Sequence, residues 1–344
     1  MLATHLARAE RPGQVVCVDR SHAALEIARN RAQARKLENI RFVQGDLTEL
    51  PALGLGTFDY IDCCGVLHHL PNPDVVLALL AAQLNPGGGM GLMVYAPYGR
   101  TGVYMLQDAL ETLAPITQPP QERLDTARRI IRTLPATAWL HQNGNFGDHL
   151  SGGDAGLYDL LLNPRDQAYT ITDFLAFLDR AGLEPAALME PARYNPALFL
   201  PDPKLRQRLA TLPWQQQAAI AEDLCGNMAT HVAYVVRKGQ AVTRPDPLNP
   251  DSVPIMREIP GAELAKQMRP DNTLPFAFGT LVVPIALPSQ ARGILPLIDG
   301  VRTVGEIEAI LSTRGVNAQK FKQVWAESFH SLEQLNRVLL RPPA

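Results

Sequence analysis

The sequence predicts two packed units: a mostly parallel α/β sheet with helices on both faces, then a smaller, mainly helical domain. Three observations lead there. Over the first hundred residues, short strands with continuous apolar runs alternate strictly with helical stretches, which is the pattern of a parallel sheet buried on both faces. At 344 residues the chain exceeds the usual size of one compact domain. Finally, "GQAVTRPDPLNPDSVP" (239–254) carries four prolines and reads as a linker between residues 1–238 and 255–344.

The elements follow in order. "LATHLARAE" (2–10) has helical spacing and stops at Pro12-Gly13. "VVCVD" (15–19) is a buried strand ending on an acid, and Ser21 caps the helix that follows it. "IRFVQGD" (40–46) is the next strand. "FDYIDCCGVLHHL" (58–70) begins as a strand and turns at Pro71-Asn72-Pro73. Helix "DVVLALLAAQL" (74–84) stops at the turn "NPGGG", and "MGLMVYA" (90–96) is a further strand. From residue 98 to about 170 the alternation lapses into helices, a Pro/Gln-rich joint and the polar, glycine-rich loop "HQNGNFGDHLSGGDAG" (141–156). Order resumes where Thr170 and Asp173 form a capping box for a helix with an apolar stripe of Ile171, Phe174, Leu175 and Leu178. Strands follow at 183–190 and 231–239. Beyond the linker, "GILPLIDG", "TVGEIEAIL" and "AQKFKQVWAESFHSLEQL" predict three helices, with Thr303 and Glu306 as a second capping box, and "RVLLRP" a short last strand. That order suggests a small winged-helix-like domain.

Composition excludes several classes of function. A net charge of −2 gives no general attraction to nucleic acid or anionic membrane. Six of the 32 basic residues are lysine, which with abundant Ala and Pro reads as a GC-rich bacterial coding bias. Cys17, Cys63, Cys64 and Cys225 form no C-x-x-C pair and read as buried free thiols of a reducing cytoplasm. "VVLALLAA" (75–82) is far too short to span a bilayer, and the N-terminus lacks the apolar core of a signal peptide. A soluble, cytoplasmic protein is expected.

In a parallel sheet, ligands bind outside the carboxyl ends of the strands. The informative residues are therefore Asp19, Asp46 and the run from Cys64 to His68. "VVCVD", "FVQGDLTELP", "FDYIDCCGVLHHLPNP" and "LNPGG" before a strand resemble, in order and spacing, the class I S-adenosylmethionine-dependent methyltransferases, over about 1–100 and 168–238. The resemblance implies a Rossmann-like sheet and S-adenosylmethionine as cofactor. Within it, Asp19, with Arg20 beside it, would bind the ribose hydroxyls. Asp46 would accept from the adenine amine with Leu47 against the ring, and Gly65, Val66 and Leu67 would line the methionine end. A carboxylate suits a ribose because it accepts two O–H donors at once.

His68 and His69, just after the strand, are candidates for a base or an acceptor contact, and His149 for a role from the inserted segment. His141, Asp148 and His149 match no metal-ligand spacing, so no metal is expected. Tyr98, Tyr104, Tyr158 and Tyr169 are candidate rings for an acceptor pocket. Residues 98–170 are expected to form a lid over that pocket.

The family also places an apolar strand and a G-x-G-x-G turn immediately before the first helix, whereas residues 1–18 contain a single glycine, Gly13. The first strand of the sheet is thus absent, and Met1 is expected to be an internal methionine of a longer reading frame.

Methyl transfer to an unidentified acceptor is the function the resemblance implies. A nicotinamide oxidoreductase would leave "GDLTELP" and "HHLPNP" unexplained. A non-catalytic binding or scaffold protein derived from a methyltransferase is the alternative. In the C-terminal region Lys320, Lys322 and Arg337 are offset by Glu327 and Glu333, a poor footprint for nucleic acid. Substrate recognition, regulation or contact in a homodimer suits that region better.

Overall fold

The computed structural model describes residues 2–8, 12–145, 147 and 151–343; Met1, Asp148 and His149 lie outside the described residues. Helix α1 (Leu2–Arg8) leads into β1 (Val15–Asp19), α2 (His22–Ala34) and β2 (Ile40–Gln44). Ser21 caps α2 as expected, its hydroxyl accepting from the Ala24 N–H at 3.2 Å. A 3₁₀ segment, Leu47–Leu53, then leads to β3 (Phe58–Cys64), α3 (Pro73–Ala82) and β4 (Leu84–Tyr95). Strand β4 starts earlier than the sequence suggests. Its "NPGGG" is an irregular strand entry rather than a turn, because Gly88 lies so close to the Phe58 and Asp59 carbonyls that a Cβ would sit 3.0–3.1 Å from them.

Four helices follow: α4 (Val103–Leu113), α5 (Pro120–Thr133), α6 (Trp139–Gln142) and α7 (Gly153–Leu161). They share a core of their own that includes Leu106, Leu110, Leu124, Leu157 and Leu160. The stretch expected as an open glycine-rich loop is thus helical at both ends, and its apolar residues bury themselves in a small bundle. Arg123 ties that bundle together by donating to the Ala114 and Leu162 carbonyls and to the Tyr158 hydroxyl.

The chain then returns to the sheet with α8 (Ile171–Arg180), β5 (Leu183–Leu188), α9 (Pro203–Leu209), α10 (Trp214–Cys225) and β6 (Thr230–Arg237). The Thr170–Asp173 capping box is present, and α8 buries Ile171, Phe174, Phe177 and Leu178. Strands β3-β4-β6-β5 form one sheet, parallel between β3 and β4 and antiparallel elsewhere; β1 and β2 form a separate parallel pair. Among the described residues, β1 and β3 each therefore have one edge with no ladder.

The proline-rich stretch is held on the C-terminal region: Trp325 donates its indole N–H to the Pro247 carbonyl at 2.6 Å. That region contains more strand than expected. It comprises β7 (Val253–Met256), α11 (Gly261–Gln267), β8 (Thr273–Phe278), β9 (Leu281–Ala286), α12 (Ala291–Ile294), α13 (Val304–Ser312), α14 (Ala318–Gln334) and β10 (Val338–Arg341). Helices predominate and share a core around Trp325, and the Thr303–Glu306 box caps α13. The β8–β9 hairpin was not expected. It precedes the three helices the sequence shows and packs Phe276 and Phe278 against Ala192 and Leu198 of the first unit. β10 closes on β7 in antiparallel register. Among the described residues no helix is long and apolar enough to cross a membrane.

Candidate active site

The two acids stand at the carboxyl ends of paired strands: Asp19 ends β1 opposite Gln44, and Asp46 lies two residues beyond Gln44, after β2. Asp19 is exposed and Asp46 partly buried, and each is half-satisfied. One oxygen of Asp19 accepts from the Ser21 N–H at 2.7 Å. One oxygen of Asp46 accepts from the Thr48 N–H at 2.9 Å and the Thr48 hydroxyl at 2.8 Å. Those bonds hold the Asp46 carboxyl below its ordinary pKa, chiefly through the Thr48 N–H. The second oxygen of each carries no hydrogen bond among the described residues, so each can accept from a ligand hydroxyl or amine. Arg20 is exposed beside Asp19, its carbonyl accepting from Gln44 at 3.2 Å. Leu47 packs against the main core from the first turn after Asp46.

After β3 the chain turns at Gly65, whose φ of +78° few side chains adopt, while its N–H holds the Met93 carbonyl of β4 at 3.1 Å. Val66 is half-buried and Leu67 fully buried.

The two histidines that follow have opposite environments. His68 is 1 % exposed, and neither ring nitrogen has a hydrogen-bond partner. Its ring lies 3.9 Å from that of Tyr95 and 4.2 Å from that of His69. Burial pushes its pKa down to about 3, with His69 and Arg100 adding to the effect. With its pKa so lowered His68 is neutral near pH 7, and its buried ring packs against Tyr95 and His69. His69 is bound instead to the inserted bundle. Its Nδ1 lies 2.8 Å from the Arg165 carbonyl, which makes it the donor there, and Nε2 lies 4.0 Å from an Asp159 carboxylate oxygen.

Sequence reasoning missed the residues around these rings. Tyr95, the last residue of β4, has the Arg100 guanidinium 3.7 Å over its face. Arg100 is itself buried and pairs with Asp166 at 3.0 Å, and Asp166 also accepts from Gln107 at 3.1 Å. Burial, with Asp159 nearby, raises the Tyr95 hydroxyl to about 12, so it stays protonated and donates toward Asp159 at 3.4 Å. Among the expected rings, Tyr104 accepts from Arg100, Tyr158 pairs with Arg123, Tyr169 stacks on Phe177, and Tyr98 is exposed. None of these four lines the polar cavity described below. The available signal was position: Tyr95 ends a strand, as Asp19 does. His149 falls outside the described residues. The four cysteines are free, with Cys63 buried but Cys64, the last residue of β3, exposed. Among the described residues no group of three metal-ligating side chains converges.

Comparison with known proteins agrees with this layout. Residues 1–88 match the model of a methyltransferase domain family. A structure of PKMT2 from Rickettsia typhi in complex with AdoHcy superposes on 98% of this chain and 68% of that one, with a TM-score of 0.68 at 16% identity. Residues 1–88 therefore carry a methyltransferase domain, and the chain shares its fold with that structure. Over that domain it is 31% identical, across 88 residues, to a ubiquinone biosynthesis O-methyltransferase of Acinetobacter baumannii, covering 26% of this chain and 36% of that one. An uncharacterized protein of a Synechococcus strain is 30% identical over 235 residues, 67% of this chain and 56% of its own length. The chain thus spans little more than half of one curated relative and about a third of the other. In this methyltransferase domain β1 and β2 bring the two acids together, while β3 and β4 bring His69 and Tyr95 to the inserted bundle.

Proposed function

We propose that the chain binds S-adenosylmethionine at the carboxyl edge of β1 and β2 and directs its methyl group to an acceptor held over the ends of β3 and β4. The observation that carries this is the pair of half-satisfied carboxylates at adjacent strand ends, within the stretch that matches a methyltransferase domain. The residues present fit such a cofactor: two carboxylates with an accepting oxygen to spare, and a left-handed glycine at 65 that lets a ligand approach the backbone.

When bound, the cofactor supplies a methyl group on a sulfonium, a leaving group that needs no protonation. The chain's own contribution is then alignment and exclusion of water. Asp19 would hold the ribose, Asp46 the adenine amine, and Gly65 to Leu67 the wall beside the methionine end. His69, oriented through Nδ1 by the Arg165 carbonyl, has Nε2 available for an acceptor's proton, and Asp159 would stabilise the resulting imidazolium. The inserted bundle supports this as a folded cap, since its own residues fix the His69 ring.

Calorimetric titration with AdoHcy tests the reading directly. Saturable binding, with heat lost in an Asp19→Ala, Asp46→Ala double variant that still folds, is the expected result. Absence of binding by the folded wild-type chain would refute it.

A further inference from the structure

We infer that the cavity between the β8–β9 hairpin and the first unit is a carboxylate-binding site. It has a volume of about 460 Å³, and its polar wall is formed by Arg100, Arg193, Asn145, Asn227 and Thr230, with Gly279 at the hairpin tip. Tyr95 lines it too, and the same ring contacts His68 and His69, so the cavity opens beside the proposed active site.

The arginines and polar groups of the wall point to the class of ligand. Among the described residues Arg193 Nε has no hydrogen-bond partner, and the guanidinium's ion pair is with Glu190, 3.7 Å from Nη1. Arg100, by contrast, is already paired with Asp166 at 3.0 Å. Among the described residues Arg193 is thus the cavity cation without a hydrogen-bonded acceptor, and its planar fork matches a carboxylate through two parallel bonds. Asn227 is 7 % exposed; its amide N–H donates to the Phe278 carbonyl at 2.6 Å, while its buried oxygen has no donor. A ligand that presents a carboxylate to the Arg193 guanidinium and an N–H or O–H to the wall around Asn227 would match this lining.

The arginine is held rigidly. Next to it, the Tyr194 hydroxyl donates to His231 Nδ1 at 3.0 Å, and His231 Nε2 donates to Glu222 at 3.0 Å. Glu222 in turn accepts from the Ile171 N–H at 2.7 Å. All three side chains are buried, which fixes the turn that presents Arg193 and the start of β6 that presents Thr230. The hairpin closes the other side. Gly279 has φ +60°, a Cβ there would lie 3.2 Å from Asn145, and Thr280 donates to Asn145 at 3.1 Å. The C-terminal region therefore completes the cavity. That the carboxylate belongs to the methyl acceptor rests on the reading of the preceding section; the site itself does not.

Malate, which carries carboxylates beside a hydroxyl, and malamide, its neutral diamide, test the site by calorimetry on the full chain. Malate should bind about tenfold or more tightly than malamide, the difference expected of one charge-assisted bidentate pair. Arg193→Gln should remove that preference, and Arg193→Lys should restore part of it. AdoHcy affinity should remain within about twofold in both variants, because Arg193 is far in sequence and role from the strand-end acids. Equal binding of malate and malamide by the wild-type chain would overturn the inference, as would tighter binding of inorganic phosphate than of malate. So would a preference unchanged in Arg193→Gln. Malate binding without AdoHcy binding would instead overturn the methyl-transfer reading and leave the carboxylate site standing. The wild-type comparison decides the matter even if Arg193→Gln does not fold.

Discussion

Strands β1 and β4 are about equally apolar in sequence, "VVCVD" against "LMVY", yet they end in different environments. In β4, Leu92 and Val94 are fully buried, covered on both faces and paired on both edges. In β1, Val15 to Val18 are only half-buried, and among the described residues β2 is the one partner. Across the β1–α2–β2 segment, Leu25 and Ala32 are the buried apolar residues. An apolar run thus specifies a strand, but its neighbours set how much stability it contributes. The larger sheet carries the stability, and the β1–β2 pair carries the acids.

The largest effect should come from the cap on the larger sheet. Arg100→Ala leaves Asp166, whose side chain is 1 % exposed, as an unpaired buried charge, and should cost about 3–5 kcal/mol in urea unfolding. A loss below about 1 kcal/mol would show the pair to be hydrated and the cap loosely attached. The comparison of strands is tested next by a matched pair. Leu92→Ala should cost about 2–5 kcal/mol and Val16→Ala about 1 kcal/mol, because Val16 has roughly half its surface left to lose. Equal costs would break the comparison.

Asp19→Ala should show the reverse division of labour. AdoHcy affinity should weaken by about 1.5–3 kcal/mol, the scale of a hydrogen bond to a charged group, while stability stays within about 0.5 kcal/mol. Unchanged affinity would remove Asp19 from the site.

A pH dependence of the larger sheet completes the comparison. His68 has its folded pKa lowered to about 3 from 6.5. Between those values the unfolded chain binds a proton that the folded chain does not, so stability falls as pH drops below 6.5. At about 1.4 kcal/mol per unit, the loss from this residue is about 2 kcal/mol by pH 5. His68→Phe should flatten the unfolding free energy over that interval; an unchanged slope would place the acid sensitivity elsewhere.

Much of the first unit was legible because its signals are local. A capping box involves residues three positions apart, so Thr170–Asp173 and Thr303–Glu306 could be read directly, as could Ser21 before α2. Asp19 and Asp46 were legible for the same reason: each follows an apolar run at the strand end, where a parallel sheet binds ligands. The β8–β9 hairpin was not legible. Its prolines, Pro275 and Pro284, face each other in the register and argued against strand, and its Gly279-Thr280 turn gave a weak signal. Tyr95 was passed over for four other tyrosines, because nothing near it in sequence shows that Arg100 will lie on its face.

By itself, then, the sequence determined the alternation of strands and helices, the caps and the strand-end acids, since each depends on spacing within a few residues. Only the tertiary structure decided that β1 is half-exposed, that His68 is neutral while its neighbour His69 is held by Arg165, and that Arg193 faces a cavity closed by a hairpin some eighty residues further on. Burial and pKa depend on every group packed within a few ångströms, and those groups come from segments whose separation along the chain carries no local pattern.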